Sequence, residues 1–173
     1  MLFTRILTLL GLLSLAACGF SPVYSKKSGI ATSVELRDIL IAPTNDRLTQ
    51  LVRNTLISQF SNQGETRSPK YYLILRVTQT LSSTLIQRNT DIQRQNLTIH
   101  AEYTLQTADR KQVLIKGRTV SIVPYNLVNQ DFGTTSYSEF ANVSARKDAR
   151  KKAAISVGED IARRLAAYFA AQP

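Results

Sequence analysis

Few residues in this chain are equipped for chemistry. It holds one cysteine, Cys18, and one histidine, His100, among 173 residues. One thiol cannot close a disulfide within the chain, and a single His and a single Cys leave no ligand set for zinc. His100 lies alone in a strand-like stretch, and no Gly-x-Ser-x-Gly elbow accompanies it to support a Ser-His-Asp relay. The twelve carboxylates are scattered. Glu159 and Asp160 are adjacent, so on a helix they point about 100° apart and cannot work as a pair on one substrate. No dinucleotide fingerprint, P-loop or EF-hand loop occurs. These residues point to a non-enzyme that needs neither cofactor nor metal.

The chemistry that Cys18 can do is set by what precedes it. The chain opens Met-Leu-Phe-Thr-Arg5, and Ile6 to Ala17 is a run of twelve almost wholly apolar residues. A membrane-spanning helix needs about 20, so the run suits the apolar core of a signal peptide instead. It ends Leu15-Ala16-Ala17-Cys18, which resembles a bacterial lipobox. That resemblance implies cleavage before Cys18 and acylation of its thiol, including attachment of palmitate-type chains. The plainer alternative is an ordinary signal peptide or a short buried helix that happens to contain the cysteine. Each buried CH₂ contributes about 0.8 kcal/mol, so two or three acyl chains hold a protein far better than one. By resemblance to sorted lipoproteins, Gly19 rather than Asp after the cysteine fits onward transfer to the outer membrane. The expected organisation is a leader over 1–17, a lipidated tether over 18–32 rich in Ser, Gly and Lys, and one domain over 33–173. Removal of 17 of the 173 residues leaves 156, enough for one packed core.

Export changes how the charge is read. Lys and Arg number 22 against 12 Asp and Glu, a net +10. In the cytoplasm such an excess suggests nucleic acid. Outside it, the anions available are lipid phosphates, acidic glycans and acidic protein surfaces, and no nucleic-acid partner is expected. Three sets of cations carry this chemistry. Arg88 and Arg94 flank a polar link between two strands, and Lys116 and Arg118 alternate on one face of a later strand. Arg146-Lys147-Asp148-Ala149-Arg150-Lys151-Lys152 holds five positive charges and one negative. Guanidinium forks suit phosphate because they engage two oxygens at once. The competing explanation for each set is a solvated face.

Periodicity then supplies the elements that position these groups. Val34 to Ala42 reads as a strand stopped by Pro43. Thr44 and Asn45 can cap a helix, with Asp46 near its positive end, and Leu48, Leu51, Val52, Leu56 and Phe60 share one helical face. Ser61 to Pro69 is a loop. Tyr71, Leu73, Leu75 and Val77 alternate with a mixed face, and Leu97 to Leu105 alternate with Thr98, His100, Glu102 and Thr104, giving strands with one wet side. Ala108 to Lys111 is a turn and Val113 to Val123 the next strand, so these three form an antiparallel meander. The link from Ser82 to Gln93 is either a projecting loop or an extension of both strands. In the tail, Ser136 and Glu139 have capping-box spacing. Ala149, Ala153, Val157, Ile161, Leu165 and Tyr168 mark a helical face, and Glu159–Arg163 and Asp160–Arg164 are i,i+4 pairs. The expected fold is α/β, more narrowly an α+β two-layer sandwich in the order β-α-β-β-β-α, with two helices packed on one face of a four-stranded sheet.

Four stretches then carry a family resemblance. Cys18-Gly19-Phe20-x-Pro22-x-Tyr24 resembles the mature start of alphaproteobacterial members of the LptE family of lipopolysaccharide-assembly lipoproteins. Arg47, Gln50, Arg53 and Leu56 are similar to that family's first-helix pattern, Tyr125-Asn126-Leu127-Val128 to its Tyr-Asn-hydrophobic stretch, and residues 148–169 to its closing helix. Gly133 after Phe132 departs from the Ala expected there, which softens the start of the last helix. The resemblance implies a protein on the periplasmic side of the cell outer membrane, lipid-anchored, that plugs and helps assemble the LptD β-barrel. It also implies binding of lipopolysaccharide during insertion into the outer leaflet. Arg88 best fits the basic position near the second-to-third-strand link that this implies, with Arg94, Lys116 and Arg118 as further candidates. The rival readings are an auxiliary lipoprotein of a lipid-transport ABC system and a periplasmic hydrolase built around His100.

Overall fold

The computed structural model of the protein describes residues 34–61, 64–84, 92–128 and 135–172. The leader, Cys18, the tether, Arg88 and the Phe132-Gly133 pair lie outside the described residues. The element order is β1 (Ile39–Ile41), α1 (Arg47–Phe60), β2 (Tyr71–Thr84), β3 (Ile92–Thr107), β4 (Val113–Val128) and α2 (Thr135–Ala170), the expected β-α-β-β-β-α. The strands form one mixed sheet in the order β1-β2-β3-β4. β1 runs parallel to β2, with α1 as the crossover, while β2, β3 and β4 form the antiparallel meander.

Side chains alternate across the sheet as the sequence requires. Leu73, Leu97, Ile99, Ala101, Tyr103 and Leu105 are buried on one face. The register pairs Leu73 with Leu105 and Ile99 with Ser121, so the inward set lines up across three strands. Both helices close this face. Val52, Leu56 and Phe60 of α1 and Ala153, Val157, Ile161 and Leu165 of α2 complete one continuous core with it. Full burial of each large aliphatic side chain contributes about 1.5–3 kcal/mol. A 36-residue helix spans about 54 Å, and the 16-residue strands β3 and β4 span about 53 Å. α2 therefore matches the long strands in length.

Local expectations hold with three adjustments. The first strand is shorter than its apolar pattern suggests: residues 34–37 form a helical turn and only Ile39–Ile41 pair with β2. The Asp38 N–H closes this turn by donating to the Glu35 carbonyl at 3.2 Å. Lys70 bridges Asp38 at 2.8 Å and Glu35 at 3.6 Å, and Tyr71 donates to Glu35 at 2.7 Å. The cap of α1 is Asp46 itself, which accepts from the Thr49 backbone N–H and hydroxyl, both at 2.8 Å. Thr44 stands one step back, accepting from the Asp46 N–H at 3.3 Å. α2 begins at Thr135, so Ser136 lies in its first turn rather than ahead of it. Of the polar link after β2, 82–84 extend β2 and 92–93 begin β3, and 85–91 lie outside the described residues.

Candidate functional site

Because both helices cover one face of the sheet, the other face is open among the described residues. Arg94, Lys116 and Arg118 all stand on it. Strand pleat places them there: they are even-numbered residues in strands whose odd-numbered residues point into the core. The structure does not gather them into one patch. Arg94 pairs in register with Asn126 near one end of β3, while Lys116 and Arg118 pair with Thr104 and Glu102 toward the other. The eight residue steps from Arg94 to Glu102 span about 26 Å, too far for one phosphate. Arg118 is engaged by Glu102 at 2.8 Å, an exposed pair that contributes little to stability. Lys116 has no ion-pair partner among the described residues. His100 is half-buried on the same face, between Thr78 and Val120, neither of which can serve as an acid. Exposed Ile74, Val120 and Ile122 give this face a mixed character.

At the β4 side of the helical layer is a polar cluster that the sequence showed only in part. Asp160 accepts from the Thr119 hydroxyl at 2.7 Å, Arg164 Nε at 2.7 Å and Arg163 at 3.2 Å. The expected Asp160–Arg164 pair is present, but Arg163 turns to Asp160 rather than to Glu159. Burial works to raise the Asp160 pKa, and the bonds from Thr119, Arg164 and Arg163 outweigh it, holding the carboxyl below its ordinary value. Beside it, the Tyr103 ring lies over Gly117. A β-carbon built at Gly117 would fall within about 2.3 Å of the ring. The cluster joins α2 to the edge strand and has the character of a structural clamp.

The basic run on α2 is partly engaged. Lys152 pairs with Asp148 at 2.8 Å, and Arg150 Nε donates to Gln79 Oε1 at 3.0 Å. Lys147 and Lys151 are exposed. Among the described residues no three His, Cys, Asp or Glu side chains come together as a metal site, and no helix is long and apolar enough to cross a membrane.

With these surfaces placed, comparison with known proteins decides the family. The LptE profile, described as lipopolysaccharide-assembly, matches residues 36–167. The chain belongs to the LptE family. The match runs from the turn before β1 almost to the end of α2, so it covers the whole sandwich. It places this LptE-family chain in lipopolysaccharide assembly, in a bacterial envelope family of assembly lipoproteins rather than enzymes. The fold is shared with a candidate lipoprotein of Caulobacter crescentus CB15 in a crystal structure, at 20% identity and TM-score 0.65, covering 83% of this chain and 98% of that one. Lipoprotein B from Nitrosomonas europaea, solved by NMR, is similar at 15% identity and TM-score 0.50, covering 77% and 84%. No curated protein matches the chain.

Proposed function

We propose that this LptE-family protein is a lipoprotein of the outer membrane, anchored on the periplasmic side through acylated Cys18, that plugs and helps assemble an LptD-type β-barrel. In this role it binds lipopolysaccharide on its way to the outer leaflet. The observation that carries the reading is the family match over the whole sandwich. The open sheet face supports it. Barrel lumens are polar, so a plug needs satisfied polar contacts more than a greasy surface, and this face offers Arg94, Lys116, Arg118, Glu102 and His100 among Thr and Asn side chains, alongside exposed Ile74, Val120 and Ile122.

In mechanism, the acyl chains hold the protein at the inner leaflet while the rigid sandwich occupies the lumen. Arg94 meets a lipid A phosphate at the end of the sheet where β3 begins, and Arg88, in the link outside the described residues, is its proposed partner in that contact. Lys116 and Arg118, about 26 Å away, serve a different contact, either a second phosphate or an acidic stretch of barrel wall.

The test is to solubilise membranes, isolate the protein and identify what accompanies it. A large outer-membrane barrel is expected. Components of an inner-membrane ABC transporter in its place would overturn the reading. Arg88→Ala with Arg94→Ala is expected to weaken lipopolysaccharide binding severalfold at low salt, with the fold intact because Arg94 is exposed. Unchanged affinity would reject that patch.

A further inference from the structure

The basic run of α2 plays no part in the reading above, yet the fold gives it a concave setting. Lys147, Arg150 and Lys151 line a cleft of about 240 Å³ against the start of α1, where Arg47 adds a fourth cation. The one carboxylate there, Asp46, is turned into α1: it takes the Thr49 backbone N–H and hydroxyl, and these bonds, the backbone one first, hold its pKa below the ordinary value. Gln79 of β2 takes the Arg150 Nε at 3.0 Å, which fixes the guanidinium and leaves its terminal nitrogens open among the described residues. Arg47, Lys147 and Lys151 have no ion-pair partner among the described residues. Lys147 and Lys151 are one turn apart, so their ammonium groups reach the same region. Four cations converge on one concavity against a single ionised carboxylate that is hydrogen-bonded into α1, which leaves an excess of positive charge complementary to a compact anion.

The cleft does not end there. Through Leu51 and Lys151, which line both, it continues into a groove of about 380 Å³ between the helices. Leu51, Ala154 and Ile155 give the groove apolar surface, and the Asn54 and Gln59 amides, the Thr55 and Ser58 side chains and the Glu159 carboxylate also line it. Apolar surface interleaved with amides, hydroxyls and a carboxylate suits a sugar ring, whose faces are weakly polar and whose edge carries hydroxyls. Gly158 permits the close helix approach beside it, since a β-carbon there would fall 2.7 Å from Thr55 Cγ2. This surface is on the helical side of the molecule, opposite Arg94, Lys116 and Arg118, so one small headgroup cannot touch both.

We propose that the α1–α2 surface binds a phosphorylated sugar, with the phosphate in the cationic cleft and the ring along the groove. This rests on the lipopolysaccharide reading, which makes the ligand the phosphosugar headgroup of a glycolipid, held at a second site away from the open sheet face. The experiment titrates the full mature chain, ¹⁵N-labelled, with glucosamine 1-phosphate, with glucosamine and with inorganic phosphate. Glucosamine 1-phosphate is expected to shift the backbone amides of 47–51 and 147–155 and to bind about tenfold more tightly than either part alone. Lys147→Gln with Lys151→Gln is expected to weaken it about tenfold or more. Both lysines are exposed, and an otherwise unchanged amide spectrum verifies the fold. Asn54→Ala is expected to weaken glucosamine 1-phosphate while leaving inorganic phosphate unaffected.

Absence of shifts at these amides, or a double lysine variant that binds as the parent does, overturns the proposal. Equal affinity for inorganic phosphate and glucosamine 1-phosphate overturns the headgroup assignment in favour of free phosphate. The functional reading fails on a different result: lipopolysaccharide not retained by the parent chain while glucosamine 1-phosphate still occupies the cleft.

Discussion

Asp160 shows how a single carboxylate can tie a helix to a sheet edge. Its three partners come from β4 and from the next turn of α2. Asp160→Asn should cost about 1–3 kcal/mol at neutral pH, because Thr119 and Arg164 lose a charged acceptor in a part-buried setting. The sign of the pH dependence follows from the depressed carboxyl. The folded pKa lies below the unfolded value of about 3.9, so this contribution is fully present above that value and is lost as pH falls through the folded pKa. Urea melts of parent and variant should therefore differ at pH 7 and converge in strong acid. A constant difference across that range would show that charge is not the source. The Arg110 turn shows the same scale in a non-glycine left-handed residue, with φ of 60°. Its guanidinium lies 4.0 Å over the Tyr72 ring, a contact of about 0.5–1 kcal/mol that offsets part of the backbone cost.

Among the elements, the packing of α1 on α2 depends on one small residue. Ala is the better helix former by about 1 kcal/mol, so on propensity alone Gly158→Ala should stabilise α2. The structure predicts the reverse. The added β-carbon would fall 2.7 Å from Thr55 Cγ2 and 2.9 Å from Thr55 Cβ, and Thr55 is tied down by its hydroxyl bond to the Leu51 carbonyl at 3.0 Å. The helices must separate, at a cost of about 1–3 kcal/mol. Thermal melts should place Gly158→Ala below the parent, and adding Thr55→Ala should recover part of the loss. A variant more stable than the parent would show that the interface has slack.

The whole molecule is asymmetric in what its two sides offer. One side of the sheet carries helices, core and the cationic cleft; the other is an open, mixed polar face. A lipid at the N-terminus would fix that asymmetry relative to the membrane. Mass spectrometry of the native protein should find a chain starting at Cys18 and carrying two or three acyl groups. A chain still starting at Met1 with a bare thiol would remove the anchor from the account.

Much of this was legible in the residues themselves. Alternation in Leu97 to Leu105 and the 3,4-spacing in α1 and α2 identify buried faces because a strand repeats every two residues and a helix every 3.6. The same parity put Lys116 and Arg118 on one face before any strand was paired. The apolar run too short to span a membrane read as a signal-peptide core from its length, and the expectation of an anchor came from the resemblance of Leu15-Ala16-Ala17-Cys18 to a lipobox. Other features depend on contacts between distant residues, which no local pattern encodes. That β1 lies parallel beside β2 over Ile39–Ile41 alone, with Lys70 bridging Asp38 and Glu35 beside it, is a tertiary matter. So is the separation of Arg94 from Lys116 and Arg118, set by the register of β3 on β4. The convergence of Arg47 and Gln79 with the basic run of α2 follows from the placement of α2 beside both α1 and β2. Local spacing determined which face each side chain shows, and only the packing of one element on another decided which charges meet.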